Sequence, residues 1–136
     1  MRDHLFALLV HGHLKPFESL KKTLWELSIE TYSVATCREA RDLITQCKPH
    51  VIFAEDVLPD GSWQSVLNIA EAADVPLSLI VVGSVPNTHS YLSVMDRGAF
   101  DYVAPPFEHE PLYHVVRSAG LAACRRREAA ARVAVA

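Results

Sequence analysis

The sequence predicts a doubly wound α/β fold with a five-stranded parallel sheet and five helices, and three observations carry that reading. Short continuous apolar runs recur along the chain, each bounded by Gly, Pro or polar residues, as expected of strands buried on both faces. Between them lie segments whose apolar residues return at three- and four-residue steps, the pattern of amphipathic helices. The two patterns alternate throughout, which implies parallel β-α-β units, right-handed crossovers and helices on both sheet faces. A length of 136 residues suits one buried core, whereas two cores would each be marginal.

The first strand is read in the run Leu5 to Val10, stopped by His11-Gly12-His13. A helix follows from Pro16, with Phe17, Leu20, Leu24 and Leu27 on its inner side. Tyr32 to Ala35 reads as a short edge strand. Thr36 and Glu39 then form a capping box, in which hydroxyl and carboxylate each satisfy a free backbone N–H, ahead of a stripe of Ala40, Leu43, Ile44 and Cys47. Val51 to Ala54 is the third strand and Pro59-Asp60-Gly61 a turn. Ser62 caps a helix whose inner face is Trp63, Val66, Leu67 and Ala70, and Pro76 precedes the strand Leu77 to Val82. Asn87 or Thr88 opens a fourth helix with Leu92 and Met95 inward and Gly98 as its stop. The fifth strand is Tyr102 to Ala104. The last helix opens with Glu110 as cap and Pro111 in its first turn, then presents Leu112, Val115, Val116 and Ala119.

Composition excludes several classes. The net charge of −3 argues against a nucleic-acid-binding surface spread over the domain, so no direct nucleic-acid binding is expected. No apolar stretch approaches the ~20 residues needed to span a bilayer, and the start of the chain lacks a charged-then-apolar leader, so a cytoplasmic location without membrane contact is expected. The three cysteines, Cys37, Cys47 and Cys124, contain no C-x-x-C pair and read as reduced, mostly buried thiols. With no Gly-rich phosphate loop, Ser-His-Asp set or Cys-His pair, the chain does not read as an enzyme. Residues 1–124 form the expected domain; 125–136, opening with Arg125-Arg126-Arg127, read as a C-terminal helix extension or linker.

In a doubly wound sheet the reactive site lies at the carboxyl ends of the strands, which here carry His11 to His13, Glu55 with Asp56, Gly83 with Ser84, and Pro105. Around them the chain resembles a known family. The segment from Val51 through Glu55-Asp56 to Pro59-Asp60-Gly61, and the segment Gly98-Ala99-Phe100-Asp101-Tyr102-Val103-Ala104-Pro105-Pro106-Phe107, resemble paired segments of the receiver domain of two-component response regulators. The resemblance covers roughly residues 5 to 122 and implies the flavodoxin-like receiver fold, strand order 2-1-3-4-5.

It also implies a phosphorylation site. Receiver chemistry needs an acidic pair after the first strand to hold magnesium, an aspartate after the third to attack phosphorus, a hydroxyl after the fourth and a lysine after the fifth. Those positions hold His11 and Gly12, Glu55, Gly83 with Ser84 one step later, and Pro105. Tyr102 matches the aromatic residue that the family reorients between states. The resemblance therefore points to a degenerate pseudo-receiver, a signalling module of a two-component or phosphorelay system without standard aspartyl phosphorylation. No cofactor is expected, and magnesium binding is not. Partner binding or self-association is expected on the face of the fourth helix, fifth strand and fifth helix.

Alternatives remain open at this stage. Glu55 either imitates a phosphorylated aspartate or is a strand-end carboxylate bound to local N–H groups. A one-residue slip would make Asp56 the phosphoacceptor of a working receiver, although side-chain alternation points it to the opposite face. His11 and His13, at i and i+2, with Glu55 would make a three-ligand zinc site of a small metal-binding protein.

Overall fold

The computed structural model describes residues 5–135. Residues 1–4 and 136, the outer ends of the two expected segments, lie outside the described residues. The elements in chain order are β1 (Phe6–Val10), α1 (Phe17–Glu26), β2 (Glu30–Val34), α2 (Cys37–Cys47), β3 (Val51–Glu55), β4 (Val57–Leu58), β5 (Gly61–Ser62), α3 (Trp63–Glu71), β6 (Ser78–Val82), α4 (Thr88–Asp96), β7 (Asp101–Val103) and α5 (His109–Val135). Five strands form one parallel sheet in the order β2-β1-β3-β6-β7, the expected topology. The strands β4 and β5 are a separate two-residue ribbon around the Pro59-Asp60 turn.

Alternation along the strands divides the core in two. Leu8, Val10, Ile52, Ala54, Leu79 and Val81 face α2, α3 and α4. Ala7, Leu9, Val51, Phe53, Ile80 and Val82 face α1 and α5. Each strand residue meets a helix on one side or the other, so the central strands are apolar throughout, and every fully buried large side chain contributes about 1.5–3 kcal/mol relative to exposure. The inner faces expected for α1 and α3 are buried as read, with Leu27 just past the end of α1.

Several boundaries and faces differ from expectation. Strand β2 begins two residues earlier and β7 one residue earlier than read, because pairing with β1 and β6 starts there. In the α2 cap, Thr36 Oγ1 accepts the Glu39 N–H at 3.1 Å, but the Glu39 carboxylate reaches past it to the Ala35 N–H at 2.9 Å. Cys47 is exposed and Cys124 partly so; Cys37 is the buried thiol, since Cys47 is the last residue of α2, beyond the buried Ile44. In α4 the buried residue is Val94, while Leu92 is 60% exposed, because this short helix touches the sheet along a narrower stripe than the sequence suggested. Asn87 is its cap and Gly98, at φ 105°, its stop, a conformation that glycine adopts without a Cβ penalty. Helix α5 starts at His109, so Glu110 lies inside the first turn and is not the cap.

The arginine run is built into the fold. Arg127 donates from Nε to the Pro76 carbonyl at 2.7 Å and from Nη2 to the carbonyls of Lys48 at 3.1 Å and Pro49 at 2.6 Å. Arg126 Nη1 adds the Leu77 carbonyl at 3.3 Å. These carbonyls close the loops entering β3 and β6, so α5 is clamped to the base of the sheet, reinforced by Ser78 Oγ donating to the buried Ala119 carbonyl at 2.8 Å. Removing the clamp leaves partly buried carbonyls unpaired: Arg127→Ala should cost about 1.5–3 kcal/mol in urea unfolding, against about 0.5 kcal/mol or less for Arg125→Ala.

His50, beside this clamp, has its pKa pushed below the ordinary 6.5 by burial and then by the Arg127 charge. The folded state therefore prefers the neutral ring, so stability is complete above 6.5 and is lost as pH falls through the lowered folded value. The melting temperature should drop between about pH 7 and about pH 5, and His50→Gln should flatten that part of the profile.

Candidate functional site

The carboxyl ends of β1, β3, β6 and β7 converge, as the parallel sheet requires, and Glu55 is the last residue of β3, the central strand. Its side chain is 13% exposed, so the carboxylate must be paired, and the loop after β1 does this. The Gly12 N–H donates to Glu55 Oε1 at 2.7 Å and the His13 N–H to the same oxygen at 3.2 Å. His13 Nδ1 lies 2.7 Å from Oε2 and carries the proton, because an ionised carboxylate only accepts. Both carboxylate oxygens are thus engaged by neighbouring donors.

His11 is engaged within the loop. Its backbone N–H continues the sheet by donating to the Val34 carbonyl at 3.0 Å, and its Nδ1 donates to the His13 carbonyl at 2.8 Å. The ring stacks on Phe17 with centroids 4.4 Å apart and planes within 11°, and its buried Nε2 has no partner among the described residues. The three-ligand alternative of His11, His13 and Glu55 is therefore not assembled: His13 and Glu55 meet while His11 turns toward Phe17. No group of three His, Cys, Asp or Glu among the described residues is placed to hold a metal. Gly12 packs against the Pro59 ring, where an added Cβ would come within 3.1 Å of Cδ, so an acidic residue there would press on the turn after β3.

Asp56 stands apart from this cluster, exposed, its carbonyl accepting the Trp63 N–H at 3.1 Å. Its charge acts instead on Tyr102, whose hydroxyl is pushed above its ordinary pKa first by burial and then by Asp56. Tyr102 folds inward over Gly83. A Cβ on residue 83 would overlap the phenol oxygen and lie 2.6 Å from Cζ, so only glycine leaves room for the ring. The hydroxyl donates to the Val85 carbonyl at 3.1 Å, tying β7 to the loop before α4. Ser84 is exposed and, with Lys15, Pro16 and Pro105, lines a groove of about 430 Å³. Pro105 offers no side-chain donor there, and Lys15 on the β1–α1 loop is the cation on that groove.

Three features escaped sequence reasoning. The Gly83–Tyr102 fit joins residues 19 positions apart whose relation no local pattern encodes. Lys15 drew no reading from the sequence. Asp60, read only as a turn residue, accepts the N–H groups of Cys37 at 2.8 Å and Arg38 at 3.2 Å, tying the β4–β5 ribbon to the start of α2. Those bonds, the Cys37 one foremost, hold its carboxyl below the usual aspartate range. A Pro-Asp-Gly turn directly after a strand end was the signal available for it.

No family model matches the chain. Among solved structures, a two-component response regulator from Clostridium difficile superposes with TM-score 0.68 at 26% identity, over 84% of this chain and 93% of that one. The receiver domain of the sensor histidine kinase PA1611 from Pseudomonas aeruginosa PAO1, with magnesium coordinated in its active-site cleft, gives TM-score 0.72 at 18% identity over 85% and 96%. The fold is the response-regulator receiver fold. The response regulator protein PilR of Pseudomonas aeruginosa is 23% identical over 113 residues. That match takes in 83% of this receiver-fold chain but 25% of PilR, so the chain spans about a quarter of the relative's length.

The receiver-fold comparison gives the Gly83–Tyr102 fit a direct test. In Gly83→Thr the new side chain must expel the phenol, breaking its bond to Val85 and costing about 1–3 kcal/mol. With fluorotyrosine labelling, the fluorine resonance of Tyr102 should move in Gly83→Thr while those of Tyr32 and Tyr113, on β2 and α5, should hold, and adding Tyr102→Ala to that variant should recover part of the lost stability.

Proposed function

We propose that this chain is a non-enzymatic signalling module of the two-component type that acts by binding a protein partner or a second copy, and that it works without standard aspartyl phosphorylation. The observation that carries this reading is the state of Glu55. A receiver's acceptor carboxylate needs a free oxygen to attack phosphorus and a metal to offset the incoming phosphoryl charge. Here both oxygens are engaged by Gly12 and His13, and the acid-pair positions hold an imidazole and a glycine. Two backbone donors and an imidazole bind the Glu55 carboxylate internally, so the β1–α1 loop is held in one arrangement with no phosphoryl group present.

The partner surface is proposed on α4 and β7. Leu92 is 60% and Val85 61% exposed there, and a groove of about 280 Å³ is lined by Pro86, Asn87, Tyr91, Tyr102 and Ala104. Tyr102 reaches both this groove and Gly83, so the surface is shaped by the same packing that fills the strand-end pocket. No helix among the described residues is long and apolar enough to cross a membrane, which is in keeping with a partner-binding module.

Treatment with acetyl phosphate or beryllofluoride and magnesium should leave intact mass and amide spectra unchanged. Glu55→Asp alone should remain inert, because shortening the carboxylate supplies neither metal ligands nor a cation. A stoichiometric acid-labile adduct mapped to Asp56 would establish a working receiver with a shifted acceptor and overturn the proposal.

A further inference from the structure

Away from the strand ends, α2 and α3 lie on the same face of the sheet and leave between them an open groove of about 860 Å³. The α2 wall carries Arg38, Arg41 and Ile44 at three-residue steps; the α3 wall carries Asn68, Ile69 and Ala72. Neither guanidinium has an ion pair or a hydrogen bond among the described residues. The carboxylate on the lining, Asp60, is already bonded to the N–H groups of Cys37 and Arg38, so its charge is directed at the start of α2. Two free cations therefore face the groove against one engaged anion.

The chemistry changes along its length. Arg38 and Arg41 stand one helical turn apart, about 5–6 Å between Cβ atoms, a spacing at which two planar forks converge on the oxygens of one phosphate. Further down α2 the lining is largely aliphatic: Ile44 is 3% exposed, Ile69 is half-buried and Ala72 adds no polar side-chain atom, while the Thr45 hydroxyl there donates to the Arg41 carbonyl at 3.1 Å. The Asn68 amide, at the edge of that floor, offers a donor and an acceptor side by side. An anionic head, a flat apolar body and a hydrogen-bonding edge, within a volume of the usual ~300–1,000 Å³ for small-molecule sites, describe a nucleotide. An acidic peptide fits less well, since the cations are confined to one end of one wall.

We infer that the α2–α3 groove is a nucleotide site, with the phosphate on Arg38 and Arg41 and the base over Ile69 beside Asn68. This inference is independent of the α4–β7 partner surface and of Glu55, so either can fail without the other. The test is an amide NMR titration of the whole chain with AMP, adenosine and pyrophosphate, each to about 5 mM, a range that captures millimolar affinity. AMP should move the amides of Arg38, Arg41, Asn68 and Ile69, and adenosine and pyrophosphate should each bind at least about tenfold more weakly. The double variant Arg38→Gln, Arg41→Gln should weaken AMP by about tenfold or more while its melting temperature stays at the wild-type value. Absence of shifts with AMP, shifts confined to other elements, or undiminished binding by the double variant would overturn the inference. Pyrophosphate binding as tightly as AMP, or polyglutamate binding where AMP does not, would overturn the nucleotide assignment in favour of a simple anion or an acidic peptide.

Discussion

A carboxylate at the end of the central strand of a parallel sheet cannot be left unpaired. The neighbouring strand ends shield Glu55 from most solvent, and a charge so placed demands donors at close range. The β1–α1 loop supplies them from Gly12 and His13, and in doing so takes its own shape: His13 turns in, its carbonyl receives Nδ1 of His11, and the His11 ring lies flat on Phe17 at the start of α1. One partly buried carboxylate thus sets the loop and its register against α1. The same contacts give each carboxylate oxygen a donor from that loop.

A second constraint, steric and not electrostatic, works on the other side of the strand ends. Gly83 lacks the Cβ that would collide with the Tyr102 phenol, so the ring occupies volume that a side chain on residue 83 would claim. The hydroxyl then finds the Val85 carbonyl, and the loop before α4 is tied to β7. Because α4 contacts the sheet along a narrow stripe centred on Val94, its outer side is left with Leu92 and Tyr91 toward solvent. The filled pocket and the exposed apolar face are two consequences of one packing arrangement.

The base of the molecule is organised differently. There the loops entering β3 and β6 present carbonyls, and Arg126 and Arg127 reach across from α5 to take them. A guanidinium with several donors in one plane suits converging carbonyls, which explains why a basic run sits against the domain and does not project wholly into water. Helix α5 consequently continues from its packed half into residues beyond Arg127 without a break, from His109 to Val135.

Periodicity by itself determined the α/β class, the two-sided burial of β1, β3 and β6, and the caps at Thr36, Ser62 and either Asn87 or Thr88, because each depends on residues within one or two helical turns or on side-chain alternation along a strand; the strand order came from the resemblance to receiver domains. The positions of the strand-end residues followed from topology, so His11, Gly12, Glu55, Gly83 and Pro105 were identifiable before their geometry was, and Tyr102 was marked by the resemblance to receiver domains. What they do to one another was not. The pairing of Glu55 with Gly12 and His13, the nesting of Tyr102 on Gly83, the Asp60 bridge to α2 and the arginine clamp each join segments separated by 19 to 79 residues. The outward turn of Leu92 likewise depended on how α4 sits on the sheet. Local pattern reports which face of an element is apolar; only the folded chain decides which side chains, far apart in sequence, compete for the same volume and satisfy the same buried charge.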